Sequence, residues 1–263
     1  MAFLSGEYQW NTELWAHGPS PGKFYNFPGT SQESDQSDIV KRTLHPTVTG
    51  TSVMGIIFKD GIMLAADTLG SYGTLARYRD LSRVSVVNDA TVIAAGGDYA
   101  DFQYLKSVIE QRVIDENCYD DGFNYTPQSL FSWLTRVMYN RRSKYDPLWN
   151  TFAVGGINNG KPFLGYVDKI GTAYTSNTLA SGFGAYLARP MMRDALEKNP
   201  DMSEEEAKAV IMRCMKVLHY RDARSLNRFE IVTVTKDGAR VEGPLSIKPD
   251  WSIVRQSRCG KSS

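Results

Sequence analysis

The sequence predicts an α+β protein built as a four-layer αββα sandwich, in which two antiparallel sheets lie between two pairs of helices. Short apolar runs are joined by tight turns such as Lys59-Asp60-Gly61, and strands joined in this way are antiparallel. These runs alternate along the chain with pairs of amphipathic helices. Because each helix pair has one apolar face, it needs a sheet to cover, and two packed sheets satisfy both pairs.

The first half of the predicted domain contains four strands followed by two helices. The strands are expected at residues 53–58, 62–66, 84–87 and 91–95. Gly96-Gly97 is expected to end the fourth strand, and Asp98 is a good N-cap for the first helix. The second helix is expected to begin with Thr126 as N-cap and Pro127 at its first position.

The second half repeats this order. Strands are expected at residues 151–157, 162–167 and 172–175. A third helix covers about 185–198, and a fourth begins with Ser203 and Glu206, whose spacing predicts a capping box. The predicted domain closes with strands at 229–235 and 240–242.

The composition is that of an ordinary globular chain, and it does not support binding of nucleic acid, membrane, metal or nucleotide. The 263 residues carry a net charge of +1, so no strong attraction to nucleic acid or to an anionic membrane is expected. No run of roughly 18 apolar residues predicts a membrane span. Three scattered cysteines indicate a reducing compartment. Metal-binding and nucleotide-binding motifs are absent from the sequence, so no cofactor and no metal are expected.

The two ends of the chain differ from the predicted domain, which spans residues 43–243. Residues 1–42 are rich in small and polar residues and keep no period, so they indicate either a disordered tail or a removable propeptide. Residues 244–263 follow the last strand as a C-terminal extension. This extension keeps large apolar side chains that need a surface to cover, namely Leu245, Ile247, Trp251, Ile253 and Val254.

The most informative motif lies between Gly50 and Asp67. Gly50-Thr51 opens one apolar strand, and Ala65-Ala66-Asp67 ends the next. With the order of elements, this motif resembles the proteasome beta-subunit family from about Thr49 to Gly243. Four further sequence segments resemble a non-catalytic member of that family, namely residues 69–73, 97–106, 147–151 and 220–225. The resemblance implies the N-terminal nucleophile hydrolase fold, which is an αββα sandwich.

In active members of the family, the hydroxyl of an N-terminal threonine is the nucleophile and its free α-amine is the base. The resemblance places Thr51 at the nucleophile position and Arg83 where the family has a lysine. No counterpart of one supporting serine is evident near Gly182. The other supporting positions fall on Asp67, Gly97, Asp222 and Ser225.

Arg83 argues against catalysis. A guanidinium has a pKa above about 12, so it cannot alternately donate and accept a proton near neutral pH. We therefore expect a fixed ion pair between Arg83 and Asp67, vestigial site positions and no catalytic residue. Self-cleavage between Gly50 and Thr51 should then stall. The resemblance implies that a neighbouring subunit instead cuts near Arg42 and Thr43.

The favoured interpretation is a non-catalytic structural beta subunit of the 20S proteasome core in the cytoplasm and nucleus. The resemblance implies a role in beta-ring assembly and ring dimerisation for ATP- and ubiquitin-dependent protein degradation. Its partners would be alpha subunits and beta subunits of the same and the opposite ring. The extension would contact the opposite ring or, alternatively, pack on its own domain. Two other functions stay open: an active threonine-type endopeptidase with Thr51 as nucleophile, and a stand-alone amidase.

Overall fold

Thirteen strands and four helices form in the residues that the computed structural model describes, which are 45–122 and 124–252. The strands are β1 (Val48–Gly50), β2 (Val53–Phe58), β3 (Gly61–Asp67), β4 (Gly70–Tyr72), β5 (Leu75–Tyr78), β6 (Val84–Asn88), β7 (Thr91–Asp98), β8 (Asn150–Asn158), β9 (Lys161–Val167), β10 (Ala173–Thr175), β11 (Thr178–Ala180), β12 (Phe229–Thr235) and β13 (Gly238–Leu245). The helices are α1 (Tyr99–Tyr119), α2 (Pro127–Ser143), α3 (Gly184–Lys198) and α4 (Glu204–Arg221).

The strands make two antiparallel sheets. The first sheet has eight strands in the order β10-β9-β8-β7-β1-β4-β5, with β6 also paired to β7. The second sheet has five strands in the order β11-β2-β3-β12-β13. The predicted tight turns join β2 to β3 and β12 to β13, so the antiparallel hairpins inferred from the sequence are confirmed.

Three apolar clusters separate four layers. Ile62 of β3 and Val92 of β7 belong to the cluster between the two sheets. Leu134 of α2 lies in the cluster that α1 and α2 form with the first sheet, and Ile211 of α4 lies in the cluster that α3 and α4 form with the second sheet. Burial of one such aliphatic side chain is worth about 1.5–3 kcal/mol. The predicted αββα sandwich is therefore confirmed.

Side chains cap three of the helices as the sequence predicts. The carboxylate of Asp98 accepts a hydrogen bond from the amide of Asp101 at the start of α1 (3.1 Å), and the Thr126 hydroxyl does the same at the start of α2. Ser203 and Glu206 form the predicted capping box of α4. These contacts satisfy amide groups that have no partner inside the helix.

The expected break at Gly96-Gly97 is wrong, because β7 continues through both glycines to Asp98. Each glycine keeps a partner in the sheet, since Gly96 pairs with Thr151 and Gly97 pairs with Asn150 of β8. Four strands were not predicted: β1, β4, β5 and β11.

Some predicted features lie outside the described residues. These are the segment 1–42, the cleavage residues Arg42 and Thr43, and the extension residues Ile253 and Val254. Among the residues that are described, no helix is both long enough and apolar enough to cross a membrane.

Candidate functional site

The residues that the resemblance assigns to the site lie close to one another where the two sheets meet. Thr51 lies in the link between β1 and β2, Asp67 ends β3, and Arg83 comes just before β6. Gly97 lies near the end of β7, and Asp222 is the C-cap of α4. Strand pairing between distant parts of the chain therefore brings the site together.

The guanidinium of Arg83 lies at the centre of this site and is fully hydrogen-bonded. The side chain is only 2% exposed. It donates from Nε to the carbonyl oxygen of Asp67 (3.0 Å), from Nη1 to those of Thr51 (2.8 Å) and Ala95 (3.2 Å), and from Nη2 to that of Ser52 (3.1 Å) and to a carboxylate oxygen of Asp67. A guanidinium has five N–H groups, so every one has an acceptor.

These acceptors come from both sheets. Ala95 belongs to β7 of the first sheet, Asp67 ends β3 of the second, and Thr51 and Ser52 form the link from β1 to β2. Arg83 therefore joins the two sheets at the point where the chain passes from one to the other. The predicted ion pair between Arg83 and Asp67 is present.

The carboxylate of Asp67 is enclosed by donors that do not titrate near neutral pH. One oxygen accepts from Arg83, and the other accepts from the backbone amide of Leu226 (3.0 Å). Burial raises the pKa of Asp67, while the charge of Arg83 and the Leu226 amide act in the opposite direction. Both donors favour the ionised form, so the carboxylate is held as a structural group.

The Thr51 hydroxyl faces a different carboxylate. It donates to Oδ2 of Asp222 at 2.5 Å, and Oδ1 of Asp222 accepts from the backbone amide of Arg224 (2.9 Å). Asp222 is itself buried. The cation of the site thus contacts the carbonyl oxygen of Thr51, and the hydroxyl is paired with an anion.

The segment before Thr51 is part of the first sheet. β1 lies between β7 and β4, with Gly50 opposite Gly97 and Thr49 opposite both Asp98 and Ser71. A side chain on Gly50 would overlap the Cδ of Arg83. Gly97 has φ +92°, and a side chain there would overlap the carbonyl oxygen of Trp149. Both glycines are therefore needed for close packing.

Two serines lie near Asp222 and Thr51 along the chain turns that border the site. The single O–H of Ser225 is shared between the carbonyl oxygens of Leu218 (3.1 Å) and Asp222 (2.8 Å), so it closes the turn after α4. Next to Gly182, Ser181 lies at the site, where its hydroxyl accepts from the amide of Val53 (2.9 Å). The sequence interpretation missed Ser181, although it stands directly before a glycine with φ +56° that shapes this turn.

The described part of the extension packs on its own domain. Leu245 and Ile247 lie against the cluster that contains α3 and α4, which is the alternative that the sequence left open for these two residues. Trp251 contacts the ring of Tyr220 but remains 50% exposed. Within residues 45–122 and 124–252, no group of three or more His, Cys, Asp or Glu side chains could hold a metal ion.

Comparison with known proteins gives a consistent result. Residues 47–234 match the family model described as "Proteasome subunit". The chain is 57% identical to the proteasome subunit beta type-4 of Xenopus laevis over 239 residues, which are 91% of this chain and 96% of that protein. It is 41% identical to the beta type-4 subunit of Drosophila melanogaster (92% and 94% covered) and 42% identical to that of Arabidopsis thaliana (81% and 86% covered). The chain therefore belongs to the proteasome subunit family.

Proposed function

We propose that this chain is a structural beta subunit of the 20S proteasome core that does not cut peptide bonds itself. Its likeness to beta type-4 subunits over most of its length supports the assignment as a beta subunit. The absence of catalysis is a separate inference that depends on the chemistry of Arg83 and Thr51.

The observation that carries this inference is the complete hydrogen bonding of Arg83. A proton relay needs a group that can give up and regain a proton near neutral pH. The guanidinium is permanently charged, and its N–H groups are all engaged with four carbonyl oxygens and one carboxylate. Arg83 can therefore stabilise the junction of the sheets, but it cannot assist proton transfer from Thr51.

The absence of a proton relay at Arg83 also affects how the propeptide is removed. An active threonine needs a free α-amine, and the nitrogen of Thr51 is in a peptide bond to Gly50 within the full chain. With no lysine to assist attack on that bond, Gly50 should stay attached. We expect an active neighbour to cut near Arg42 and Thr43, which leaves Thr43 to Gly50 in place.

Mass spectrometry and a mechanism-based inhibitor test this proposal. The chain should be isolated from its native assembly, and its intact mass and N-terminal sequence measured. We expect a first residue near Thr43 and no epoxyketone adduct on Thr51, while active beta subunits in the same sample are labelled. A mature chain that begins at Thr51 and carries the adduct would instead establish an active threonine endopeptidase.

The proposed partners are other beta subunits in the same and the opposite ring, together with alpha subunits. Leu245 and Ile247 of the C-terminal extension pack on their own domain, and we assign the more exposed part around Trp251 to the opposite ring, where it would support ring dimerisation. The proposed location is the cytoplasm and nucleus, and fluorescence microscopy of the tagged chain tests it. A stand-alone amidase would migrate as a single small species in size-exclusion chromatography, whereas a core subunit should elute with the complete particle.

A further inference from the structure

We propose that Asn227 and Tyr220 are positioning residues that hold residues 247–251 in one fixed path, so that the exposed half of the Trp251 indole is presented to a beta subunit of the opposite ring. This inference rests on the proposed function, since it assumes that the extension contacts another subunit. It adds the residues that shape the extension before any partner binds.

Asn227 holds the first part of the path through its side-chain amide. The amide nitrogen of Ile247 donates to Oδ1 of Asn227 (2.9 Å), and Nδ2 of Asn227 donates to the carbonyl oxygen of Ile247. One side chain thus pairs with both backbone groups of Ile247, as a neighbouring strand would. The Ile247 side chain packs on the apolar cluster of α3 and α4, which anchors this end of the path.

Tyr220 holds the second part from the last turn of α4. Its hydroxyl oxygen accepts from the backbone amide of Asp250 (2.6 Å). Its ring meets that of Trp251 edge to face, with centroids 4.9 Å apart and an interplanar angle of 87°. Asp250 then accepts from the amide of Ser252 (3.0 Å), which turns the chain after Trp251. The extension is therefore held at both ends of a five-residue stretch.

The side chains that this path leaves exposed suit a protein partner. Trp251 remains half exposed although its ring contacts that of Tyr220, and tryptophan is among the residues most enriched at the energetic centres of protein interfaces. Lys248 and Asp250 carry opposite charges, so the exposed stretch has no net charge to attract nucleic acid or an anionic membrane. The sequence continues beyond Ser252 with two more apolar residues, Ile253 and Val254.

A fixed path strengthens binding because the extension loses less conformational freedom when it docks. The contacts of Asn227 and Tyr220 are made mainly to backbone groups, so they set the direction of the chain without using the side chains that face outward. Loss of either contact should therefore weaken association between rings more than it affects the folded domain.

The experiment compares Asn227→Ala and Tyr220→Phe with the unaltered full-length chain, each assembled with the other core subunits. The fraction of complete core particles relative to half particles is measured by analytical ultracentrifugation over a range of concentrations. We expect the association of half particles to weaken by roughly fivefold for Tyr220→Phe, which loses one hydrogen bond, and by at least as much for Asn227→Ala, which loses two. The melting temperature of each full-length chain is measured alongside.

Matched controls are Asn158→Ala and Tyr119→Phe. Asn158 makes an exposed side-chain hydrogen bond to Gln128, and Tyr119 is an exposed tyrosine at the end of α1. Both controls should associate as the unaltered chain does. The inference would be overturned if Asn227→Ala and Tyr220→Phe left the association of half particles unchanged. It would also be overturned if they weakened association only in proportion to a lower melting temperature.

A truncation that removes residues 246–263 separates this inference from the proposed role of the extension. If truncated chains still join half particles normally, the extension does not connect the rings and both ideas fail. If truncation weakens association but Asn227→Ala and Tyr220→Phe do not, the extension connects the rings and only the positioning role is wrong. Weakening by the truncation and by both variants, without an equivalent loss of melting temperature, supports the inference.

Discussion

Replacement of Arg83 by lysine is the sharpest test of the structural role of this residue. The substitution keeps the positive charge beside Asp67, so it isolates the geometry of the guanidinium from its charge. A lysine ammonium has three N–H groups, whereas the guanidinium has five. At least two of the five hydrogen bonds to Asp67, Thr51, Ser52 and Ala95 must therefore be lost.

The expected loss of stability follows from these two bonds. A buried polar group that is left without its partner costs about 1–3 kcal/mol, so Arg83→Lys should lower the free energy of unfolding by about 2–6 kcal/mol. Globular proteins have a free energy of unfolding of about 5–15 kcal/mol, so this loss would be a large fraction of the total.

Urea unfolding of the full-length chain measures this quantity, with tryptophan fluorescence and circular dichroism as independent signals. Arg228→Lys is the matched control. Arg228 forms an exposed ion pair with Asp80 (3.1 Å), so its replacement should change the free energy of unfolding by less than about 0.5 kcal/mol. A change for Arg83→Lys no larger than that of the control would refute the reasoning that the guanidinium joins the sheets.

Three other outcomes are expected from single features. Gly50→Ala should lower the free energy of unfolding by about 1–3 kcal/mol, because its side chain would overlap Arg83; in a double-mutant cycle, this loss should shrink in an Arg83→Ala background. Alkylation of the native chain at mildly alkaline pH, mapped by mass spectrometry, should modify exposed Cys118 and spare Cys214. The reason is that burial raises the pKa of the Cys214 thiol to about 12. Modification of Cys214 at the rate seen for Cys118 would contradict this. A hydrogen bond from a lysine of α4 lowers the pKa of Glu242, so Glu242→Gln should cost less than about 1 kcal/mol at neutral pH. That cost should persist above the ordinary value of 4.5 and disappear as the pH falls through the lowered pKa, and an equal cost at neutral and strongly acidic pH would exclude the charge as its cause.

Local signals explain which elements could be predicted from the sequence. The Lys59-Asp60-Gly61 turn and the Ser203–Glu206 capping box depend on residues that are close in sequence, and both are present as expected. Three of the strands that were not predicted, β1, β4 and β11, have only three residues each, which is too few for a clear alternating pattern. Their conformation depends on neighbours that are distant in the chain, such as Gly97 opposite Gly50. The same sheet contacts explain why two glycines continue β7 where local propensity predicts its end.

Local signals and long-range contacts also differ in how well they could be predicted at the site. The charge and spacing of Arg83 and Asp67 were sufficient to predict their ion pair, given the resemblance to the family. The carbonyl acceptors of Arg83 could not be predicted, because backbone groups are the same in every sequence and only the fold selects them. The apolar pattern of the extension showed that Ile247 needs a surface, but it could not show that this surface is the chain's own α3–α4 cluster.

The position of β1 gives the chain a reason to keep the residues directly before Thr51 that is independent of acid–base chemistry. In the first sheet, β1 is the only described strand that connects the β4–β5 hairpin to β7. Cleavage after Gly50 with loss of the upstream peptide would divide that sheet into a five-stranded remnant and a detached two-stranded ribbon. A maturation cut upstream of β1 would preserve the sheet, so we expect β1 to remain in the mature chain.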